Sequence, residues 1–504
     1  MIYLSIVLLI ISAFLAKFLL GKKSLVAYCA LVFLYLFFLA FDYALVYFTG
    51  NTLTPFSFNM FFISIVGAPI LTFINYILIA VLAILAIILF LVIFCRKIFP
   101  RLKKSKILAS LCFVFALAAL CVNPLTIALT NLYFQMYPPV WSLKKDIYPY
   151  IEIPRAHSIA KRPNIVYIFL ESFNDAYTKD EIFPTLTPNF KALQNSMIFD
   201  DVGRTPGAQI TIEGLFSSFC GVPYLFNFKF TDKNNFAKNI KCASGILQDL
   251  GYRSYFIKGA DLEFQNTDKF LDAMEFDERN GRAELAKRGA KNYNEWGVDD
   301  DEMLEFAWED FLRLSRENSP FLQAILTIST HTPNGFVAKS CENLEGNFKE
   351  NFYDKSGSDE EITMLRAVAC TDELVGTLIR KIRASEFSDN TIVVLQSDHP
   401  APAIEQSAKI HNLVKSSEKL YFVINDPKIE RNIHITRQTS TIDTFTTVLD
   451  YIGVLDAMQL GRSALSRNSL LTRMPSPYYV KAARLAPHID YDEIEKANLK
   501  KVQK

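Results

Sequence analysis

Asn164-Ile-Val-Tyr-Ile-Phe-Leu-Glu-Ser172 and Thr391-Ile-Val-Val-Leu-Gln-Ser-Asp-His399 are built alike: a short run of apolar, largely β-branched or aromatic residues ends in carboxylate, hydroxyl or imidazole side chains. Such a run, bounded by polar residues, is the pattern of a strand buried on both faces. Ser254–Lys258, Phe321–Ile328 and Leu420–Ile424 repeat it, and helical periodicity fills the intervals, over Asp299–Arg316 and Glu360–Ala384 among others. Strands alternating with helices predict an α/β unit, a mostly parallel sheet covered by helices on both faces. Ligands of such sheets gather beyond the carboxyl ends of the strands. Glu171, Ser172, Asp398 and His399 fall there.

Upstream the composition changes character. The chain has 504 residues and a formal charge of only +1, which offers no basic surface for nucleic acid, and no nucleic-acid partner is expected. Up to about Phe134 the sequence is almost continuously apolar, and after Lys144 it reads as a soluble domain. The reading is therefore an α-helical membrane domain over residues 1–133, a connector over 134–162, the α/β domain over 163–475 and a tail over 476–504. Ile2–Leu20, Leu25–Phe48, Ile70–Cys95 and Ile107–Leu125 are read as four spans, a bilayer crossing requiring about 20 apolar residues. Phe56–Ala68, between Pro55 and Pro69, reads as interfacial or re-entrant. The first run has no basic residue before it and no small-residue cleavage pattern after it, so it reads as a retained helix. Lys22, Lys23 and the basic residues between Arg96 and Lys106 mark the cytoplasmic loops, which puts the α/β domain on the outer side, the periplasm of a bacterial inner membrane. Asp42, inside the second run, is an intramembrane carboxylate that reads chiefly as an interface group.

Cysteine usage follows the same division. Cys29, Cys95, Cys112 and Cys121 lie in or beside the apolar runs and read as free thiols. Cys220, Cys242, Cys341 and Cys370 lie in a domain assigned to an oxidising compartment. Three pairings are open to them; Cys220–Cys242 and Cys341–Cys370, the closest in sequence, are favoured.

Two carboxylates and a histidine at neighbouring strand ends suit a divalent cation such as Mn²⁺, Mg²⁺ or Zn²⁺. Between them, Gly207-Ala-Gln-Ile-Thr211-Ile-Glu-Gly214 places a hydroxyl where a helix opens, a position whose free N–H groups favour an anion. Thr211 is then either a nucleophile activated by a metal or a helix cap, and the segment alone favours the cap. His331, after the Phe321–Ile328 run, is placed to stabilise charge or move a proton, or else is an ordinary surface histidine.

Taken together, these segments resemble the alkaline-phosphatase/sulfatase superfamily, in its branch of lipid-dependent head-group transferases. The resemblance is to phosphoglycerol transferases that modify periplasmic glucans, which are related to lipoteichoic acid synthases and phosphoethanolamine transferases. It is carried by NIVYIFLES at 164–172, FPTLTPNFKAL at 183–193, TIEGLFSSFCGVP at 211–223 and GYRSYFIKGADLEF at 251–264. It continues through WGVDDDEMLEFAW at 296–308, THTPNGF at 330–336 and TIVVLQSDH at 391–399, and includes FDYALVYFTG at 41–50. The resemblance implies one divalent metal ion, foremost Mn²⁺, held by Glu171, Thr211, Asp398 and His399. It implies Thr211 as nucleophile, His331 on the phosphoryl oxygens or leaving group, and Asp261 on the head group. Trp296 and Asp300 lie in a family segment without an assigned role. Thr332 stands where the family carries a second histidine, and Pro400-Ala-Pro402 where it carries Leu-Ala-Met. Both changes flank the site and bear on head group or acceptor.

The implied reaction moves phosphoglycerol from phosphatidylglycerol to a periplasmic glycan or other acceptor through a phospho-threonine. The competing readings are phosphoethanolamine transfer from phosphatidylethanolamine to lipid A, glycan or protein, and a non-catalytic membrane scaffold. A formylglycine sulfatase is disfavoured, because Cys220-Gly-Val-Pro-Tyr224 lacks the arginine of that motif. His411 is a weaker flanking candidate, and His157, His434 and His488 read as surface residues.

Overall fold

The structure, a computed structural model, describes residues 2–49, 52–54, 74–136, 139–224, 240–332, 334–342, 358–401, 408–415, 419–466 and 476–502. The described residues form two compact units that divide between Pro138 and Pro139.

In the N-terminal unit the apolar runs are helical: α1 (Ile2–Leu15), α2 (Lys22–Thr49), α3 (Ile74–Ile98), α4 (Lys106–Cys121) and α5 (Pro124–Met136). Their lengths differ. α2 and α3 are long and apolar enough to cross a membrane, while α1, continued by a single 3₁₀ turn to Phe18, is shorter. α4 and α5 form a pair bent by 58°. Pro124 has no N–H to continue the first helix, and Asn123 Oδ1 restarts the second by accepting from Leu125 N at 3.0 Å. Two helices thus pass by length, or three if the bent pair is one crossing. Ser5 and Ser12 of α1 bond to the hydroxyls of Tyr35 and Tyr28 at 2.9 and 3.0 Å, tying α1 to α2. Asp42 is buried and accepts from the Thr52 hydroxyl. The segment Phe56–Ala68 lies outside the described residues. All four cysteines of this unit are free thiols.

The second unit is built on one sheet of eight strands among the described residues: β1 (Asn164–Leu170), β2 (Ser196–Phe199), β3 (Arg253–Lys258), β4 (Glu278–Asn280), β5 (Phe321–Leu326), β6 (Thr391–Ser397), β7 (Phe422–Asn425) and β8 (Ile433–Ile435). Their order is β4-β3-β5-β1-β6-β7-β2-β8, and every pairing is parallel except those of β7. β1 is central, as a run buried at every position requires. Alternate residues of β1 serve opposite faces. Val166, Ile168 and Leu170 join the core under α8 (Asp300–Ser315) and α9 (Asp359–Ala384). Tyr167 and Phe169 stack with Phe219 and Phe445 of two helices on the other face, α7 (Thr211–Cys220) and α10 (Thr441–Tyr451). β5 stops at Leu326, short of the Ile328 read from sequence: Thr327 N still donates to Phe169 O of β1, but the next two amides, Ile328 N and Ser329 N, are taken by the Asp300 carboxylate. Cys220–Cys242 and Cys341–Cys370 are disulfides. The connector forms α6 (Val140–Ile147), on which the helix Ser476–Leu485 packs, helped by the ion pair Lys481–Asp146; Lys144 pairs with Glu493 of the following helix, Tyr491–Val502.

Candidate active site

The parallel strands β1 and β6 lie side by side in register, Leu170 opposite Ser397, so the residues that follow them emerge together. Glu171 and Asp398 are both buried, and His399 is 5% exposed. His399 Nε2 lies 3.3 Å from Glu171 Oε1 and 3.5 Å from Asp398 Oδ2. The strand ends are locked by backbone as well. Asp398 Oδ1 accepts from Ser172 N at 2.9 Å and His399 N at 2.6 Å, and Glu171 N donates to Thr327 Oγ1 at 3.1 Å. Ser172 adopts φ 49°, a left-handed conformation that a serine holds only under such constraint. Its hydroxyl donates to Glu171 Oε1 at 2.8 Å.

Thr211 is the first residue of α7, not its cap; Ile210 occupies the cap position without a side-chain bond. The Thr211 hydroxyl donates to Glu171 Oε2 at 3.1 Å, which brings it into the cluster. Two residues hold the helix there. Ile212 N donates to Gln265 Oε1 at 3.0 Å. Gly214 rests on the Asp398 backbone so closely that a Cβ would lie 2.1 Å from the Asp398 carbonyl oxygen. The N-terminal turn of a helix is thereby pressed against the two strand ends, a favourable place for an anion.

The electrostatics show what the cluster accommodates. Burial works against ionisation of Glu171, but the hydrogen bond and charge of His399 outweigh it and hold the carboxyl at about 2. Burial, and then the Glu171 charge, push Asp398 well above the usual carboxylate range. For His399, burial opposes protonation, while Asp398 and Glu171 overcome it and raise the imidazole to about 9. One imidazolium thus compensates one of two buried carboxylates. Asp398 Oδ2 is buried without a hydrogen-bond partner. Glu171, Asp398 and His399 offer ligand atoms all within 4.8 Å of one another. An orphaned carboxylate oxygen beside a second carboxylate and an imidazole is a donor set that fits a divalent cation. His399 Nδ1 points at Pro400 O at 2.8 Å, so the proton belongs on Nδ1 and Nε2 is the nitrogen left for a metal.

His331 is half-buried after β5. Its Nδ1 donates to Thr332 O at 2.7 Å, which leaves Nε2 as the free lone pair. Burial lowers its pKa, and the Glu171 charge partly offsets this. Trp296 packs on the imidazole at 4.1 Å between ring centres and on Phe264 at 5.1 Å. Asp300, wholly buried, accepts from Ile328 N and Ser329 N, three and two residues before His331. These contacts give Trp296 and Asp300 the role that sequence reading left blank: they fix the loop that carries His331. The structure does not bring Asp261 into the cluster; it is half-buried and accepts from Glu263 N at 2.9 Å, closing a turn. The His411 side chain lies outside the described residues, and His157 and His434 are exposed. Lys258, Gln265 and Gly214 were missed as site residues. The one signal for Lys258 was a lysine closing an apolar strand.

Residues 163–454 match the sulfatase family model, and residues 1–142 match the model described as phosphoglycerol transferase I, N-terminal domain. The chain is similar to phosphoglycerol transferase I of Escherichia coli O6:K15:H31, at 35% identity over 314 residues covering 61% of this chain and 39% of that one. Phosphoglycerol transferase I of Escherichia fergusonii is 36% identical over 314 residues, with the same shares. The matched stretch thus spans about two-fifths of these relatives' length. Among solved structures, a protein in the alkaline phosphatase superfamily from Vibrio parahaemolyticus superposes with a TM-score of 0.51 at 22% identity, covering 66% of this chain and 80% of that one.

Proposed function

The chain belongs to the sulfatase family, and from that premise we propose that it is a membrane-bound phosphotransferase moving phosphoglycerol from phosphatidylglycerol to a glycan or other acceptor in the periplasm. One observation carries the reading: the Thr211 hydroxyl, at a helix N-terminus, is hydrogen-bonded to Glu171 in the cluster that Asp398 and His399 complete. The names of the relatives, phosphoglycerol transferase I, support the choice of head group. The apolar N-terminal helices, by tethering the chain to a bilayer, would raise the effective concentration of a lipid donor.

Glu171, Asp398, His399 and Thr211 would hold one divalent ion, foremost Mn²⁺, which when bound would supply Lewis-acid charge to the phosphoryl oxygens and lower the pKa of the threonine hydroxyl. In the first half-reaction Thr211 Oγ attacks phosphorus, diacylglycerol leaves, and the proton given up by Thr211 ends on the departing oxygen. The positive end of the α7 dipole would favour the negative charge that develops, although the Ile212 N–H is itself held by Gln265. In the second half, the acceptor hydroxyl gives its proton to Nε2 of His331 and attacks the phospho-threonine, the P–O bond to Thr211 breaks, and the proton taken by His331 is passed on to the leaving Thr211 oxygen, which restores both groups. A lowered pKa keeps His331 neutral and able to take that proton at pH 7.

The test incubates purified full-length protein and Mn²⁺ with phosphatidylglycerol and, separately, phosphatidylethanolamine, reading diacylglycerol release and intact mass. The expected result is release from phosphatidylglycerol, a glycerophosphoryl adduct on the Thr211 peptide, and loss of both in Thr211→Ala. Release from neither lipid, with no adduct under Mn²⁺ or Zn²⁺, overturns the reading in favour of a scaffold. Release from phosphatidylethanolamine alone moves it to that head group.

A further inference from the structure

Lys258 ends β3 and emerges at the same edge of the sheet as Glu171, with β5 between their strands. Only 3% of it is exposed. Its Nζ donates to Thr267 Oγ1 at 2.9 Å, and that hydroxyl spends its own proton on Phe264 O at 2.9 Å. Nζ also lies 6.0 Å from the centre of the Phe264 ring. An ammonium has three donors. Among the described residues, Thr267 fills one and no carboxylate comes within ion-pair distance. A cation buried this deeply is costly unless an anion or acceptor reaches it. Burial correspondingly pushes the lysine down to about 7, against the upward pull of Asp261, Glu171 and Asp268.

Its neighbours connect it to both halves of the site. Phe264 packs on Trp296, and Trp296 packs on His331. Gln265, next along from Phe264, holds the Ile212 amide beside Thr211. The unfilled ammonium therefore belongs to the segment that frames the nucleophile and the histidine, on the side away from Asp398 and β6.

We propose that Lys258 binds the transferred group itself, donating to its glycerol hydroxyl and phosphoryl oxygens, and thereby rejects head groups that carry an ammonium. The inference takes the identity of the transferred group from the transferase reading, but a second cation beside Lys258 is repelled whether or not turnover follows. Glycerol hydroxyls and a phosphate supply the acceptors that the lysine lacks; an ethanolamine ammonium supplies none.

The experiment titrates sn-glycerol 1-phosphate and phosphoethanolamine into Mn²⁺-loaded full-length protein in detergent, for wild type, Lys258→Met, Lys258→Gln and Lys258→Arg. Wild type should bind glycerol phosphate at least tenfold more tightly than phosphoethanolamine. Lys258→Met and Lys258→Gln should bring the two within threefold, with Tm at or above that of wild type, and Lys258→Arg should keep the preference. A structural lysine would instead lower Tm and leave the preference unmoved. No preference in wild type, no binding of either ligand, or an unchanged ratio in the neutral variants overturns the inference. Diacylglycerol release separates the two readings. A lysine-dependent preference without turnover sinks the transferase reading alone, and turnover on phosphatidylglycerol without that preference sinks this one alone.

Discussion

Replacing Gly214 with alanine adds one methyl group at the point where α7 meets the end of β6. The new Cβ would lie 2.1 Å from the Asp398 carbonyl oxygen and 2.8 Å from its carbonyl carbon. Non-bonded contact needs roughly 3.3 Å or more, so helix and strand end must part by about 1.2 Å. Intrinsic helix propensity pulls the other way, favouring alanine by about 1 kcal/mol. Overpacking costs about 1–3 kcal/mol, and here the obstacle is backbone, with Asp398 N bonded to Leu170 O and its carboxylate pinned by Ser172 N, not a side chain that can swing aside. A contact this short against fixed backbone falls in the upper part of that range, about 2–3 kcal/mol, so the clash wins, for a net loss of about 1–2 kcal/mol and a Tm lower by roughly 2–6 °C. The effect on chemistry is larger than the effect on stability. A displacement of that size breaks the Thr211–Glu171 hydrogen bond of 3.1 Å, and misplacing a reacting group by about 1 Å costs on the order of 100-fold in rate. Gly245→Ala is the matched control, since a Cβ there meets nothing within 4 Å and the residue sits inside the helix Ala243–Asp249. It should gain up to about 1 kcal/mol and leave activity unchanged. The assay pairs diacylglycerol release from phosphatidylglycerol with thermal unfolding. Gly214→Ala turning over within threefold of wild type, whatever its Tm, would refute the claim that seating α7 on Asp398 is what places Thr211.

Trp296→Ala should uncover His331, lowering kcat by roughly 10–100-fold, and should shift the acid limb of the pH–rate profile upward as the lowered histidine pKa relaxes toward its ordinary value. An unshifted limb would mean that the indole does not set the imidazole's environment. Cys341→Ser or Cys370→Ser opens a loop of 29 residues and should cost about 3–4 kcal/mol, read by denaturant titration, with added reductant having no further effect attributable to that bridge. Metal-stripped protein should lose stability as pH rises from 6 to 9. His399, raised to about 9, stabilises the fold below its unfolded pKa and loses that contribution through pH 9, while the raised Asp398 acts in the same direction. Melting in chelator at pH 6, 7.5 and 9 measures this. Asp398→Asn should flatten the dependence, and Mn²⁺ at 100 times its Kd should add about 2.7 kcal/mol to wild type but not to the variant.

The parts of the fold legible in sequence were those whose pattern does not depend on neighbours. β1 and β6 are buried on both faces, so their middles are unbroken apolar runs, and their bounds could be read directly, to within one residue at the end of β6. β2, β4 and β8 went unseen because they are three or four residues long; β4 and β8 also keep their side chains partly or largely exposed, and no alternation develops. Hydropathy located the apolar helices but said little about where a straight helix ends, which Pro124 decides. In the site, residues placed by strand ends were legible because a parallel sheet delivers them to one edge. Contacts made through space were not: nothing in the run Trp296-Gly-Val-Asp-Asp300 announces that one residue stacks on an imidazole and another clasps the loop two residues before it.

Charge supplies the last link between the cluster and its ligand. Glu171 and Asp398 ionised carry two negative charges, and His399 as a metal ligand is neutral, so a divalent cation would bring the centre only to zero. A neutral centre does not draw a phosphodiester out of a lipid surface, and ionising Thr211 makes it negative. The helix N-terminus offers partial charge, about half an elementary unit. Lys258, on the side opposite Asp398, would supply positive charge once an anion binds beside it and offsets the burial that opposes its protonation. Low polarity around a buried cation strengthens its attraction for an anion several-fold over the value in water. The same low polarity makes the cation costly in the empty protein. The proposed head group, by bringing an anion and hydrogen-bond acceptors to Lys258, would offset that cost.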